Sequence, residues 1–324
     1  MLHFRLVVPS QEADRLMDEL LEDGAITNLV LIREAALEPS GDLLLFDVAR
    51  EAASRLLDRL RELRIDDFGS VTIQAIEATF SRSAQESERA VPGFAVDAVV
   101  WQEIDQYASE QATLSFTYLA FLAIATQLAA IGVVIDSAIL IVGAMVLGPE
   151  FGPVASICIG LYRRDIRRGV VALRTLLVGF LVAIAITCLC ALISRPLGLI
   201  TPASLGHQVL TGFIVHPNIW GFIVAVLAGA AGMLSLTTAR SMSLVGVFIS
   251  VTTVPAAGNA AVALALADWR ELTGSLEQLG LNIVGMVAAG TLTLVLLRYG
   301  WSLVPESTRR TARHRLARRR SALR

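Results

Sequence analysis

Six apolar segments set what this chain can become: Thr117–Ile135, Ser137–Leu161, Thr175–Ile193, Ile219–Leu236, Met242–Ala267 and Leu281–Leu297. Each has about the 17 to 25 residues that a helix needs to cross a hydrocarbon core. In lipid every backbone N–H and C=O must be satisfied internally, so the segments are expected as transmembrane helices. Only 17% of the 324 residues are charged, below the roughly 25% of soluble domains, and 22 of the 29 acidic residues fall before Thr117. The chain therefore divides into a part made for water and a part made for lipid.

One stretch breaks the pattern. Gly143-Ala144-Met145-Val146-Leu147-Gly148-Pro149-Glu150-Phe151-Gly152-Pro153 lies inside the second apolar segment, yet holds two Gly-Pro breaks and a carboxylate. Proline removes a donor and clashes with the preceding turn, so a broken helix is expected. Broken backbone at membrane depth is tolerated only where protein or a watery cavity covers it. An ionisable residue inside a span is a functional hypothesis by default, and Glu150 could coordinate a cation or carry a proton. Alternatively, its carboxylate caps the freed amides of the half-helix starting near Pro153. The same helix end could instead receive an anionic solute if Glu150 turns away.

The fifth segment echoes the second. Val142-Gly143 is answered by Val245-Gly246, and Pro153 by Pro255 with one residue of slippage. Splitting after the third segment leaves two halves of three helices, and an odd number of crossings makes any repeat inverted. Paired Gly/Pro-interrupted spans point to a binding site near the midplane. The residues expected to line it are Gly148, Pro149, Glu150, Gly152 and Pro153 from the first half, and Ser250, Thr252, Thr253, Pro255 and Asn259 from the second. Gln127 and Asn282 are polar enough to join, or only to link two spans. Asp136 is expected to cap the helix beginning at Ser137 or Ala138. Gly229, Ala230, Ala231 and Gly232 are expected to allow close helix packing.

The aqueous part reads as βαββαβ: strand His3–Val8, helix Glu12–Glu22 capped by Ser10, strands Ile26–Ile32 and Leu43–Val48, helix Glu51–Leu63 and strand Ser70–Thr79. This is the ferredoxin-like split motif, and Asp23–Asn28 resembles small-molecule-sensing regulatory modules. The expected organisation is a cytoplasmic domain at residues 1–80, a linker and interfacial amphipathic helix at 81–116, a six-span domain at 117–303 and a basic tail at 304–324. The fold class is membrane all-α, in two inverted three-helix repeats with broken middle helices, plus the N-terminal α+β domain.

Orientation follows from arginine. Alternation from a cytoplasmic start puts Arg163, Arg164, Arg167, Arg168, Arg240 and the tail inside, leaving Arg195 and Arg270 outside, in accord with the positive-inside rule. Both termini are thus expected in the cytoplasm, with the tail meeting anionic lipid head groups rather than nucleic acid.

From Asp136-Ser137 through Gly143–Pro153, then the Arg-rich loop and Gly246–Pro255, the chain resembles the bacterial membrane family catalogued as domain of unknown function 389. The resemblance implies a six-span inner-membrane protein without an agreed substrate. Three function classes are compatible with these residues. The first is a transporter or channel for a small ion or polar solute, and the second a non-transporting sensor or scaffold whose N-terminal domain binds a ligand or partner. The third, an intramembrane enzyme, finds no nucleophile elbow, Walker loop or HExxH in its favour. Cys158, Cys188, Cys190 and four scattered histidines offer no zinc-like spacing, so neither metal nor cofactor is expected. An exposed sheet could pair two copies into a homo-oligomer.

Overall fold

The computed structural model of the protein describes residues 1–76, 79–91, 99–201, 212, 219–237 and 252–302. Its contacts form two compact units, one built on Met1–Glu103 and one on Ile104–Leu236 with Arg240–Tyr299.

The first unit is a four-stranded antiparallel sheet covered by helices. Its elements are β1 (Leu2–Val8), α1 (Ser10–Glu22), β2 (Ile26–Leu37), β3 (Ser40–Val48), α2 (Arg50–Glu62), α3 (Ile65–Phe68), β4 (Ser70–Ala75) and α4 (Arg82–Ala90), in sheet order β2-β3-β1-β4. Alternation decides the buried face: Leu2, Phe4, Leu6 and Val8 of β1 and Leu44, Phe46 and Val48 of β3 are fully covered. Phe4 and Phe46 face each other in register and stack with ring centroids 5.4 Å apart. Against them lie Ala13, Leu16 and Leu20 of α1 and Ala52, Ala53, Leu56, Leu57 and Leu60 of α2.

Three local expectations are corrected. Ser10 does not cap α1: Pro9 holds that position and Ser10 Oγ donates to Asp42 Oδ1 at 2.7 Å. The strand expected to stop at Ile32 runs to Leu37, absorbing two register shifts, so the turn shrinks to Glu38-Pro39. The polar stretch expected as linker forms α4, because Ser81 Oγ accepts the Ala84 amide as an N-cap.

The second unit is helical. Helix α5 (Trp101–Gln111) leads into it, followed by α6 (Phe116–Val134), α7 (Ala138–Leu147), α8 (Phe151–Arg163), α9 (Ile166–Ser194), α10 (Ile219–Thr237), α11 (Thr253–Leu266) and α12 (Trp269–Ser302). Four of these, α6, α9, α10 and α12, are long and apolar enough to cross a membrane; α7 and α8 make a fifth if the bent pair counts as one span. Six spans were expected, but residues 242–251, the start of the fifth apolar segment, lie outside the described residues, and α11 is only 14 residues long. The 304–324 tail lies outside them too.

Burial separates the helices. In α8 every residue from Phe151 to Gly160 is buried, and in α11 twelve of the fourteen are. Helix α9, by contrast, leaves Val170, Leu177, Leu181 and Leu189 exposed, as a lipid-facing helix would. Small residues let the backbones approach. A Cβ on Gly258 would stand 2.8 Å from the Ala130 amide nitrogen, and one on Gly229 2.4 Å from the Met286 carbonyl oxygen. Gly229 and Gly232 therefore sit at tight contacts, as expected of small residues between packed helices.

Candidate functional site

The site begins where α7 ends. Helical hydrogen bonding would have Pro149 donate to Met145, and proline has nothing to donate, so α7 closes at Leu147 with the Gly148 amide bonded to Ala144 O at 3.2 Å. After three intervening residues α8 starts, bent by 53° from α7, a geometry that fits a broken span or a re-entrant loop. Glu150 is the N-cap of α8, and Pro153 sits in the first turn, where a missing N–H costs nothing because those amides have no intrahelical partner.

Helix α11 starts the same way. Thr252 is its N-cap and Pro255 falls three residues later, as Pro153 does after Glu150. The first backbone bonds also match: Val154 N to Glu150 O at 3.3 Å, and Ala256 N to Thr252 O at 3.2 Å. The far ends match as well. Arg164 closes α8 and Ala267 closes α11, both in the left-handed region at φ 60° and 59°. An aspartate follows each and caps the next helix: Asp165 Oδ1 accepts the Arg168 amide, and Asp268 Oδ1 the Glu271 amide.

The two starts meet. Thr253 Oγ1 donates to Glu150 Oε1 at 2.7 Å, with Thr253 fully buried and Glu150 only 5% exposed. Glu150 Oε2 is also buried and accepts no hydrogen bond among the described residues. Gly148 completes the cradle, since a Cβ there would lie 2.2 Å from that same Oε2 and 2.7 Å from Val254 Cγ2. Glu150 does not cap α8 with its side chain, although it holds the N-cap position. Of the two readings open for it, the capping one is thus not what this geometry displays.

Thr252, the neighbour of Thr253, joins a second group. Its Oγ1 accepts from Asn282 Nδ2 at 2.9 Å and from Gln278 Nε2 at 3.4 Å, and Gln278 also donates to Asn282 Oδ1 at 3.2 Å. Gln278 and Asn282 are almost fully buried, and Gln278 Oε1 has no partner among the described residues. Gln278 was missed from sequence because it precedes the apolar run at Leu281. A signal existed in its spacing of four from Asn282, which puts both on one face of α12.

Not every expected residue converges. Asn259 lies seven residues along α11 from Thr252, about 10 Å away at 1.5 Å per residue. It donates to Ser275 Oγ at 2.8 Å and to Glu271 Oε2 at 3.4 Å, so it ties α11 to α12 rather than facing Glu150. Asp136 is not the cap of α7; Ser137 is, through its Oγ and the Leu140 amide, while Asp136 takes a left-handed turn at φ 52°. Ser250 lies outside the described residues, as does Val245-Gly246. Among the described residues no group of three or more His, Cys, Asp or Glu side chains could hold a metal ion.

Residues 145–288 match the family model described as Domain of unknown function (DUF389), a stretch that takes in Glu150, Thr252, Thr253, Asn259 and Asn282. The chain is also similar to an uncharacterized protein of Methanocaldococcus jannaschii, at 24% identity over 203 residues, 63% of this chain and 60% of that relative. The match thus spans less than two thirds of the relative's length. No solved structure matches. The family match thus covers less than half of the chain and begins within the Gly143–Pro153 stretch, and the family's printed description assigns no function.

Proposed function

We propose that this chain is a membrane transporter or channel for a small ion or polar solute, with its site where the N-termini of α8 and α11 meet around Glu150. The observation that carries the reading is the buried Thr253–Glu150 contact beside a carboxylate oxygen that no described residue satisfies. A helix start carries partial positive charge and free amides. Two such ends facing one carboxylate form a site with two charge states. An ionised Glu150 occupies the positive ends itself and offers Oε2 to a cation or proton. A neutral Glu150 leaves the same ends to an anion.

Further support comes from the repeated local features. The N-cap, the first-turn proline, the left-handed close and the capping aspartate recur at offsets of 102 to 103 residues, from Glu150, Pro153, Arg164 and Asp165 to Thr252, Pro255, Ala267 and Asp268. We read them as two halves of an inverted repeat with broken middle helices. On this reading the chain is a six-span protein of the cell membrane with both termini in the cytoplasm, and it performs no catalysis. The sheet order β2-β3-β1-β4 supports a ferredoxin-like N-terminal domain, to which we give a regulatory role.

The test is flux in proteoliposomes of the full chain, using pH- and ion-sensitive dyes across imposed gradients. The expected result is flux above empty vesicles that Glu150→Gln changes at least tenfold, with the variant still monodisperse and helical. Flux no greater than in empty vesicles under every gradient, or flux indifferent to Glu150→Gln, overturns the reading in favour of a sensor or scaffold.

A further inference from the structure

A cavity of about 620 Å³ lies at the corner between α8 and α9. The corner is tight: a Cβ on Gly160 would stand 2.9 Å from the Gly169 amide nitrogen, and the Asp165 amide bonds Gly160 O at 2.8 Å. One wall is a single face of α9, on which Arg167, Arg168, Val171, Arg174 and Thr175 recur at helical spacing. The other walls bring hydroxyls, Ser109 and Thr113 from the end of α5 and Ser156 from α8. Thr175 Oγ1 donates to Ala112 O at 2.7 Å and holds the walls together.

The charges are not self-cancelling. Arg168 pairs with Asp105 at 2.8 Å, and Asp105 also takes Arg163 at 2.5 Å. Asp165, the lining carboxylate, spends Oδ1 on the Arg168 amide. Arg167 and Arg174 have no ion-pair partner among the described residues, and they line the cavity with Arg168 against that one acid. Ser156 gives the independent observation: it is fully buried, lines the cavity, and its Oγ has no hydrogen-bond partner among the described residues. A buried hydroxyl left unmatched is destabilising, so a ligand acceptor there is favoured.

The equivalent corner between α11 and α12 answers the alternative that such corners simply need arginine. It is built the same way, with Ala267 left-handed and Asp268 capping, yet carries Arg270 beside Glu271. The geometry points to the α8–α9 cavity as a binding site for a phosphate group, held by Arg167 and Arg174 with hydroxyl donation from Ser156. Guanidinium forks match phosphate oxygens in number and plane. The phosphate comes from one of two sources, a lipid head group of the adjoining leaflet or a soluble phosphate, and basic pockets between spans take head groups by this chemistry. The site stands independently of any flux through Glu150.

The experiment uses the full chain purified in a neutral detergent. Dihexanoyl phosphatidylglycerol and inorganic phosphate are titrated separately, with dihexanoylglycerol as the phosphate-free control, and the melting temperature is followed. The expected result is a saturable rise with at least one phosphate probe and none with the control. Its midpoint moves at least tenfold in Arg167→Gln/Arg174→Gln, whose exposed side chains leave packing intact, and at least threefold in Ser156→Ala. Saturation by the lipid alone assigns a head group, and saturation by inorganic phosphate assigns a soluble ligand. No saturable rise with either probe, or an unchanged midpoint in the double variant, overturns the proposal.

Discussion

The hydroxyl of Thr253 and the carboxylate of Glu150 lie 103 positions apart in sequence and 2.7 Å apart in space. A threonine hydroxyl donates to a carboxylate and can turn to accept from a carboxylic acid, so the contact survives a change of protonation. It also joins the starts of α8 and α11, the two helices that are almost wholly buried.

Thr253→Val removes the donor and keeps the shape. A hydrogen bond to a charged group contributes about 1.5–3 kcal/mol, so on the proposed transport function the loss corresponds to roughly a ten- to hundredfold fall in flux. Thr253→Ser keeps the hydroxyl and is expected to retain most of it. Flux in proteoliposomes compares the two, and adding Thr253→Val to Glu150→Gln should cost little more, because the residues act as a pair.

Gly148→Ala tests the cradle. Its Cβ would fall 2.2 Å from Glu150 Oε2, so either the carboxylate swings away or the α7–α8 break opens. Overpacking of this kind costs about 1–3 kcal/mol and should lower the melting temperature in detergent along with flux. Gly143→Ala is the control: a Cβ there meets nothing within 4 Å, and the gain in helix propensity should leave the melting temperature equal or higher.

What the sequence made legible was local. The two Gly-Pro pairs pointed to an interruption within Gly143–Pro153, where α7 ends at Leu147, and the alternation of the strand expected at His3–Val8 is that of β1, with Phe4 covered. The pairing of Glu150 with Thr253 was within reach because both mark helix starts beside a proline. The partners of Asn259 were not legible for the opposite reason: it shares α11 with Thr253, but which side of a fully buried helix a polar residue faces is set by its neighbours, here Ser275 and Glu271. Hydropathy hid Gln278 in the same way. Helix α12 runs from Trp269, about twelve residues before the apolar run, and Glu271 and Glu277 mask that extension in any average. A partner distant in sequence likewise took Ser10, whose hydroxyl donates to Asp42 on β3 instead of capping its own helix.

Gly232→Ala should loosen α10. The added Cβ would stand 2.2 Å from Phe151 Cζ, the first residue of α8, and a buried phenyl ring has little room to give. A loss of about 1–3 kcal/mol is expected. Gly280→Ala, on the exposed side of α12 with nothing within 4 Å, should be neutral or slightly stabilising. Thermal unfolding of both variants in one detergent checks the difference, and an equal effect would mean that the α10 contact is not close-packed.

Asp42 and Glu51 should give the N-terminal unit opposite responses to pH. The Glu34 amide, Ser10 and Arg33 hold the Asp42 carboxyl below its ordinary value of 3.8, so its stabilisation is full above that value and is lost as pH falls through the lower folded one. Burial pushes Glu51 above 4.5, and its Oε2 has no partner among the described residues. The favourable state of Glu51 is therefore the neutral one, fully present below 4.5 and lost as pH rises through the raised folded value. At pH 7 Asp42→Asn should speed amide exchange across β3, whereas Glu51→Gln should slow it across α2. Near pH 4 the Glu51→Gln advantage should have gone while most of the Asp42→Asn penalty persists, since the two groups titrate on opposite sides of that point. Hydrogen exchange on the full chain at the two pH values reads both, and an advantage of Glu51→Gln that stayed constant with pH would show that its cause is packing and not charge.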